Sequence, residues 1–423
     1  MSFRSLARNH DFTLLWIGTT ISELGSGVSL IAFPFLTWAT THSTLATSVV
    51  TAAVAVGRLV TLLPAGHWAD LYDRKMLMRL SAGSGAIALG SLSVAGILGH
   101  VTLVHLILAA AVVGGAEGLF TPAEGSAVRT VVPPEELATA FSQNQARQHI
   151  AELVGSPVGG ALYGFGRLVP FVADAFSYAV NFVMLGFLKT DLGHPKREDD
   201  APRPGMIAGV VEGWRFVFTD PIFRILGIAS PLMNLVINAI FFAAELRLIQ
   251  HGFPAWQVGL AMAIVGVFGV VGSVAAPWII DRLPTGWLLL LSVWSFVPLL
   301  VPMALWNSPW VLAAAASAGI FLNPAGNAGI SAYRQATTSP EILGRVGSTM
   351  MFTSMSLHWG APLLGGAALA GLGGRNGMLL LAIAMAGVAM IPTASKAIRS
   401  VPRPKVWQAE LAASAAPVDE VAS

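Results

Sequence analysis

The sequence predicts an all-α polytopic membrane protein, with about twelve transmembrane helices in two six-helix bundles related by a pseudo-twofold along the membrane normal. Three observations carry this. The 423 residues are 55% hydrophobic and only 11% charged, against roughly 25% charged in a soluble domain, too few to cover a water-facing surface. Apolar runs long enough to cross a bilayer recur along the whole chain. The lysines and arginines fall in alternate loops between those runs.

Crossing the hydrocarbon takes about 20 apolar residues. The first run, 12–38, follows Arg4 and Arg8 as the core of a signal peptide would. It is too long for that role and many others follow, so it reads as a retained helix. Runs 46–66, 76–98, 103–126, 138–165 and 168–188 complete the first half. The second half holds 222–244, 258–280, 287–305, 310–330, 346–369 and 377–395. Glycine and proline inside these runs are common in membrane helices and permit close packing. The hydrophilic stretch 189–215 divides the chain near its middle. The expected organisation is a bundle at 1–190, a cytoplasmic linker at 191–220, a bundle at 221–396 and a disordered tail at 397–423, rich in Ala, Glu and Val. Within the linker, 214–218 reads as a short amphipathic helix lying on the membrane.

One set of loops carries Arg4 and Arg8, then Arg74, Lys75 and Arg79, then Arg129, the 189–215 stretch, Arg282, Arg334 with Arg345, and the basic residues of 396–405. The alternate loops carry only Arg167, Arg247 and Arg375. By the positive-inside rule both termini are cytoplasmic, which requires an even number of spans. The expected location is a bacterial-type inner (plasma) membrane.

The two halves overlay at a period of roughly 205 residues. Leu119-Phe120-Thr121-Pro122-Ala123 matches Phe321-Leu322-Asn323-Pro324-Ala325, and Ser126-Ala127-Val128-Arg129 matches Ser331-Ala332-Tyr333-Arg334. Pro134-Glu135-Glu136-Leu137 matches Pro340-Glu341-Ile342-Leu343, and Gly155-Ser156-Pro157 with Gly160 matches Gly360-Ala361-Pro362 with Gly365. Asp73-Arg74 pairs with Asp281-Arg282. Six spans per half put both copies in the same orientation, an arrangement that serves a substrate site near the midplane.

The loop after the second run reads Gly66-His67-Trp68-Ala69-Asp70-Leu71-Tyr72-Asp73-Arg74-Lys75. It resembles the major facilitator loop signature Gly-x-Leu-Ala-Asp-Arg-x-Gly-Arg-Arg, matching at Gly66, Ala69, Asp70, Arg74 and Lys75 and departing at Trp68, Leu71 and Asp73. The resemblance implies a cytoplasmic gating loop in which Asp70 meets a neighbouring helix N-terminus and arginine to lock the outward-facing state; a solvated basic loop would have the same charges. Gly155-Ser156-Pro157-Val158-Gly159-Gly160 resembles the antiporter signature Gly-Pro-x-x-Gly-Gly, where proline bends the helix and glycine allows contact. Pro157 and Gly160, with Pro362 and Gly365 in the second half, are the helix-bending candidates. Together with Arg8-Asn9-His10-Asp11-Phe12, the pattern resembles the efflux branch that holds macrolide and enterobactin-type siderophore exporters. That resemblance implies export of a bulky amphipathic small molecule, driven by proton entry, by a monomer in the lipid bilayer.

An ionisable group in hydrocarbon costs about 2.5–3.5 kcal/mol on insertion scales unless it faces a partner or a watery cavity. Glu23, Arg58 and Arg147 lie near mid-span, with Glu117 and Glu152 flanking that level. Glu23, Glu117 and Glu152 are candidates for proton coupling, since a carboxyl removed from water holds its proton more tightly; in the family fold, the first and fourth spans face the cavity. The same charges also read as a static network, with Arg58 and Arg147 as partners in pairs such as Glu23–Arg58 or Arg147–Glu152. Asp174 lies near the outer end of its span, where it can reach water. Phe33, Asn234, Asn238, Asn323 and Asn327 are substrate-cavity candidates; Asn pairs at this spacing share a helix face, and serve equally as polar contacts between helices.

No cysteine is present, so disulfides and thiolate sites are excluded. No HExxH and no GxxxxGK[ST] occurs, so no enzyme, metal, cofactor or ATP-driven step is expected. The net charge of +2 sits in the basic loops, which is a topology signal and no sign of nucleic acid. A lysophospholipid-translocating facilitator and a nutrient importer share the expected fold and stay open as alternatives. Asp70→Asn is expected to slow turnover and shift the distribution between inward- and outward-facing states, read by substrate flux and by spin-label distances; no change in either would leave the loop a solvated surface.

Overall fold

The computed structural model describes residue 6 and residues 8–193 and 214–415, which include every expected span. Most of the expected linker and the last eight residues lie outside the described residues. The chain is all-helical and is laid out in twelve spans, and among the described residues there is no strand.

The first six spans are single helices: α1 His10–Thr41, α2 Thr44–Leu71, α3 Arg74–Ile97, α4 Leu103–Val131, α5 Leu137–Phe165 and α6 Val169–Gly186. Each of α1 to α4 starts where a side chain takes an otherwise unpaired amide. Asn9 accepts from Phe12 N, Ser43 from Ala46 N, Asp73 from Lys75 N and Thr102 from His105 N. The second half opens with α7 Pro221–Gln250 and α8 Ala255–Ile280. Its remaining spans are interrupted. The ninth is split into α9 Thr285–Trp294 and α10 Leu300–Leu305, and the tenth into α11 Pro309–Ile320 and α12 Asn323–Thr337. The eleventh begins as α13 Pro340–Met355, breaks at a 3₁₀ turn His358–Gly360, and resumes in α14 Ala361–Ala394. That helix carries Gly373 at φ 75°, a left-handed residue, so it joins the end of one span to the next. Pro362 falls in the first turn of α14, where its missing N–H leaves no gap; it starts a helix and does not bend one. Pro157 does lie inside α5. Eight described helices are long and apolar enough to cross a bilayer by themselves. The others fall short because they are broken, or because α5 carries the polar run 143–152.

The chain divides into two compact units. The first takes in the described residues up to 193 and also Glu245–Ala263 and Pro362–Ala370. Small residues bring the start of α8 against α5: a Cβ at Gly160 would overlap the Ala255 carbonyl, and one at Gly259 the Ser156 carbonyl. Inside this unit α2 and α4 make the closest seam. Gly57 lies on the Ala111 carbonyl, Gly114 on Val54 and Gly118 on Arg58, the small-residue packing expected where lipid supplies no hydrophobic drive. Thr61 Oγ1 adds a bond to Gly115 O at 2.9 Å. Gly27 and Gly155 bring α1 onto α5 in the same way.

The basic ends of these helices are tied by the residues of the N-terminal motif. Asn9 Nδ2 donates to Val131 O at 2.9 Å, and Asp11 accepts from Lys189 N and Thr190 N at 3.1 and 2.7 Å. Lys75 Nζ donates to Gly186 O and Leu188 O at 3.0 and 2.9 Å, satisfying carbonyls at the end of α6.

The second unit holds 201–244, 264–361 and 371–423, of which 201–213 and 416–423 lie outside the described residues. Residues 214–219 are helical, with the Trp214 and Phe218 rings stacked at 5.4 Å and Val217 fully buried. The tail departs from the expectation of disorder. Lys396–Arg399 (α15) and Pro404–Ala415 (α16) are helices, and buried Trp407 packs edge-on to Tyr333. An aromatic anchor in an otherwise small-residue segment is enough to dock it.

A Gly114→Val exchange, which forces α2 from α4, is expected to cost about 1–3 kcal/mol. Gly66→Ala, with nothing within 4 Å of an added Cβ, is expected to stay within about 0.5 kcal/mol. Thermal unfolding in detergent separates the two.

Candidate functional site

The first unit encloses a cavity of about 260 Å³ whose wall carries Glu23 of α1, Arg58 of α2, and Glu117 and Glu124 of α4. Glu117 and Glu124 are two helical turns apart, so they share one face of α4. Phe120 lies between them, and Tyr178 of α6 closes the side of the cavity.

Behind the wall lies Arg147 of α5, with its side chain 1% exposed. Its Nε and Nη2 donate to the two carboxylate oxygens of Glu23 at 2.9 and 3.0 Å, and Nη2 also donates to Glu124 Oε1 at 2.9 Å. Asn144 Oδ1 accepts from Nη1 at 3.5 Å. This forked, charge-assisted geometry is the strongest ion pairing a guanidinium makes. It joins three helices at one point. The pairing differs from the Glu23–Arg58 pair expected from the sequence, and the expected Arg147–Glu152 pair falls on a side chain outside the described residues. Arg58 Nη1 instead lies 3.9 Å from Glu117 Oε2, with the two side chains 58% and 32% exposed. The side chains of Asp70 and Glu152 are outside the described residues.

The two carboxyls of α1 and α4 expected to couple protons therefore differ in what they can do. Both Glu23 oxygens are occupied by Arg147, so a proton arriving there must break a bidentate pair. Glu117 has one cation at the limit of ion-pair distance and lines the cavity. Sequence reasoning missed Glu124; its signal is the seven-residue spacing from Glu117, which puts both on the cavity face of α4. It also missed Glu245 of α7, whose Oε1 is shielded from solvent and has no hydrogen-bond partner among the described residues.

Asp174 departs from its expected access to water: it is 0% exposed. Ser29 Oγ and Ser177 Oγ donate to its two oxygens, and Gly25 of α1 lies directly against it. Phe33 is 1% exposed with its ring edge-on to Phe171 at 5.1 Å, so it is packed away from the cavity. Of the gating-loop residues, Asp73 caps α3, and Arg74 is buried, with Nη1 donating to Thr130 Oγ1 at 2.9 Å.

In the second unit Asn234, Asn323 and Asn327 line one cavity of about 420 Å³ with Met233, Phe296 and Met385. Asn238 lies outside that lining and donates to Asn234 O at 2.7 Å. Asn327 Nδ2 donates to Asn323 Oδ1 at 2.8 Å, and with Ser230, Ser292, Ser331 and Arg334 the wall is about as polar as it is apolar.

A family model for the Major Facilitator Superfamily matches residues 15–361. The chain is 26% identical over 354 residues to the multidrug efflux pump Tap of Mycolicibacterium fortuitum, covering 80% of this chain and 84% of that one. It is 23% identical over 300 residues to the enterobactin exporter EntS of Citrobacter koseri, covering 69% and 70%. Among solved structures, the nucleoside transporter NupG superposes with a TM-score of 0.71 at 13% identity, over 90% of this chain and 98% of that one. A bacterial homologue of the iron transporter ferroportin gives 0.67 at 16%, over 92% and 100%. These two likenesses concern the fold alone.

Removing one partner of a buried ion network leaves the rest uncompensated, at about 3–5 kcal/mol. Arg147→Ala is therefore expected to lower the melting temperature in detergent sharply. Arg147→Lys should restore only part of the loss, because an ammonium cannot fork across two carboxylates. Equal melting of all three proteins would show that the network does not hold the bundle.

Proposed function

Because the chain belongs to the major facilitator superfamily, we propose that it is a proton-coupled exporter of bulky amphipathic small molecules, drug-like or siderophore-like, working by alternating access. The observation that carries this is the acidic cavity: three carboxyls, Glu23, Glu117 and Glu124, against Arg58 and the buried Arg147. One carboxyl exceeds the available cations, and the loosely paired Glu117 is the group placed to take a proton or a cationic substrate in turn. Competition for that carboxyl is a sufficient coupling device, since proton and substrate need not be bound together. The aromatic walls at Phe120 and Tyr178 suit a greasy ligand body. The relatives named for multidrug efflux and enterobactin export support the same reading, of outward movement across a bacterial inner membrane, and the alternate basic loops support placing both termini in the cytoplasm. A monomer is sufficient, because the cavity is built from helices of one chain.

A lipid-translocating role is the second reading. It is favoured by an apolar groove of about 420 Å³ along α1 and α5, lined by Phe12, Trp16, Ile17 and Ile150 with Arg147 at its base. Such a groove could take an acyl chain.

Purified protein in proteoliposomes with an imposed pH gradient tests both. Ethidium, a macrolide and a catecholate siderophore are scanned, with an ionophore to collapse the gradient. Gradient-dependent movement of one of these, lost in Glu117→Gln, is the expected result. Movement of a labelled lysophospholipid indifferent to the gradient would instead establish the second reading.

A further inference from the structure

The tenth span ends on a cation that nothing balances. Arg334 lies in the last turn of α12 and lines both the asparagine-bearing cavity and a second one of about 310 Å³. The two cavities also share Ser331 and Ser354, so they adjoin at the guanidinium, within the second unit. The Arg334 side chain is half-buried, and its Nε is shielded from solvent with no hydrogen-bond partner. Among the described residues no carboxylate pairs with it, and none lines either cavity.

The groups beside it are donors. Asn323, Asn327, Ser331 and Arg334 follow at spacings of four, four and three residues, which places them on one face of α12. The stripe runs about 16 Å along the helix. Asn327 Nδ2 is spent on Asn323 Oδ1, whereas Asn323 Nδ2 makes no bond among the described residues. Ser331 Oγ accepts from Gln335 Nε2 at 3.2 Å, so its own O–H is left to donate. Met233, Phe296 and Met385 complete the wall of the larger cavity and suit an apolar ligand body.

The position of Arg334 at a helix end does not by itself explain this. A helix C-terminus attracts a cation through its unpaired carbonyls, but here Thr337 and Thr338 already serve them. Their hydroxyls donate to Tyr333 O and Arg334 O at 3.0 and 2.7 Å. A basic residue that only marks the cytoplasmic side has no need of a cavity. Arg129, its counterpart in the first half, is exposed, with its guanidinium 5.9 Å from the centre of the Phe141 ring. A partly desolvated guanidinium without a counter-charge is costly, and a planar oxyanion is the group its fork fits.

We propose that this cavity of the second unit binds an organic oxyanion, a carboxylate or phosphate carried on an apolar body. Arg334 is the charged contact, and Asn323 and Ser331 supply neutral donors. The cavity is distinct from the acidic one around Glu117, and the proposal needs no proton coupling.

Equilibrium dialysis of the purified full chain in a non-ionic detergent tests it, without any gradient. The probes are 1-naphthoate and 1-naphthyl phosphate, measured against 1-naphthamide, a neutral body of similar shape. Wild type is expected to bind at least one of the anions about tenfold or more tightly than the amide, the gain of a charge-assisted bond. Arg334→Gln should bring the affinities for anion and amide together, and Asn323→Ala should weaken binding of the anion. Equal affinity for anions and amide in wild type overturns the proposal. An anion preference that survives intact in Arg334→Gln also overturns it, leaving the arginine a topology signal. Loss of the preference on adding phosphatidylglycerol would assign the guanidinium to a lipid headgroup and overturn the proposal as well. If Arg334→Gln does not fold, Arg334→Lys must lower the preference, because an ammonium cannot fork; an unchanged preference overturns the assignment. Failure here leaves the proton-coupled reading standing, and transport indifferent to a pH gradient leaves this binding result standing.

Discussion

The first six helices are organised around one buried cation. A guanidinium shielded from water must be met by carboxylates, and the requirement is strict in a bilayer, where no solvent can substitute. Arg147 meets it with Glu23 from α1 and Glu124 from α4. Because the fork is planar and directional, it fixes the rotation of three helices about their own axes as well as their distance. Once those rotations are set, Glu117 must face the cavity two turns along α4, and Ser26 and Ser29 must face α6. The position of the loosely held carboxyl follows from where the tightly held pair is placed.

The same constraint separates structure from chemistry among groups that look alike in the sequence. Five charged residues at similar depth invite either a proton relay or a static network; among the described side chains Arg147 holds Glu23 directly, whereas Arg58 meets Glu117 only at 3.9 Å. Glu23 and Glu124 hold the bundle, whereas Glu117 remains available. A mutation at Glu23 that stops transport therefore carries little information on coupling until its effect on folding has been measured.

What the sequence revealed was whatever depends on one residue and its near neighbours. Twelve spans follow from runs of apolar residues, and the caps at Asn9, Ser43, Asp73 and Thr102 are residues that favour helix starts. The Asn pairs of the second half were visible as polar spots, and three of the four share a cavity. What stayed hidden depends on contacts between helices. Hydropathy registers side chains and is blind to a broken backbone, so the interruptions of the ninth to eleventh spans gave no signal. Asp174 was judged by its distance from a helix end, but its access to water is decided by Gly25, Phe33 and Phe171 on and beside it. Trp407 was read with its disordered-looking neighbours, although one buried indole outweighs several alanines in docking a tail.

The glycine seam between α2 and α4 has a mechanical consequence. Where backbone rests on backbone there are no rotamers to exchange and no side chains to compress, so the joint is either closed or parted, with little in between. Gly57, Gly114 and Gly118, backed by Gly27 on Gly155, thus give the first unit the character of a stiff plate. The second unit is built from helices interrupted after Trp294, after Ile320, at His358–Gly360 and at Gly373, each a place where torsion can be taken up locally. Backbone rests on backbone in the second unit too, Gly272 on Phe321 and Gly286 on Ile398, so what sets that unit apart is the breaks in its helices, where a joint that must part as a whole sits beside segments that can turn separately.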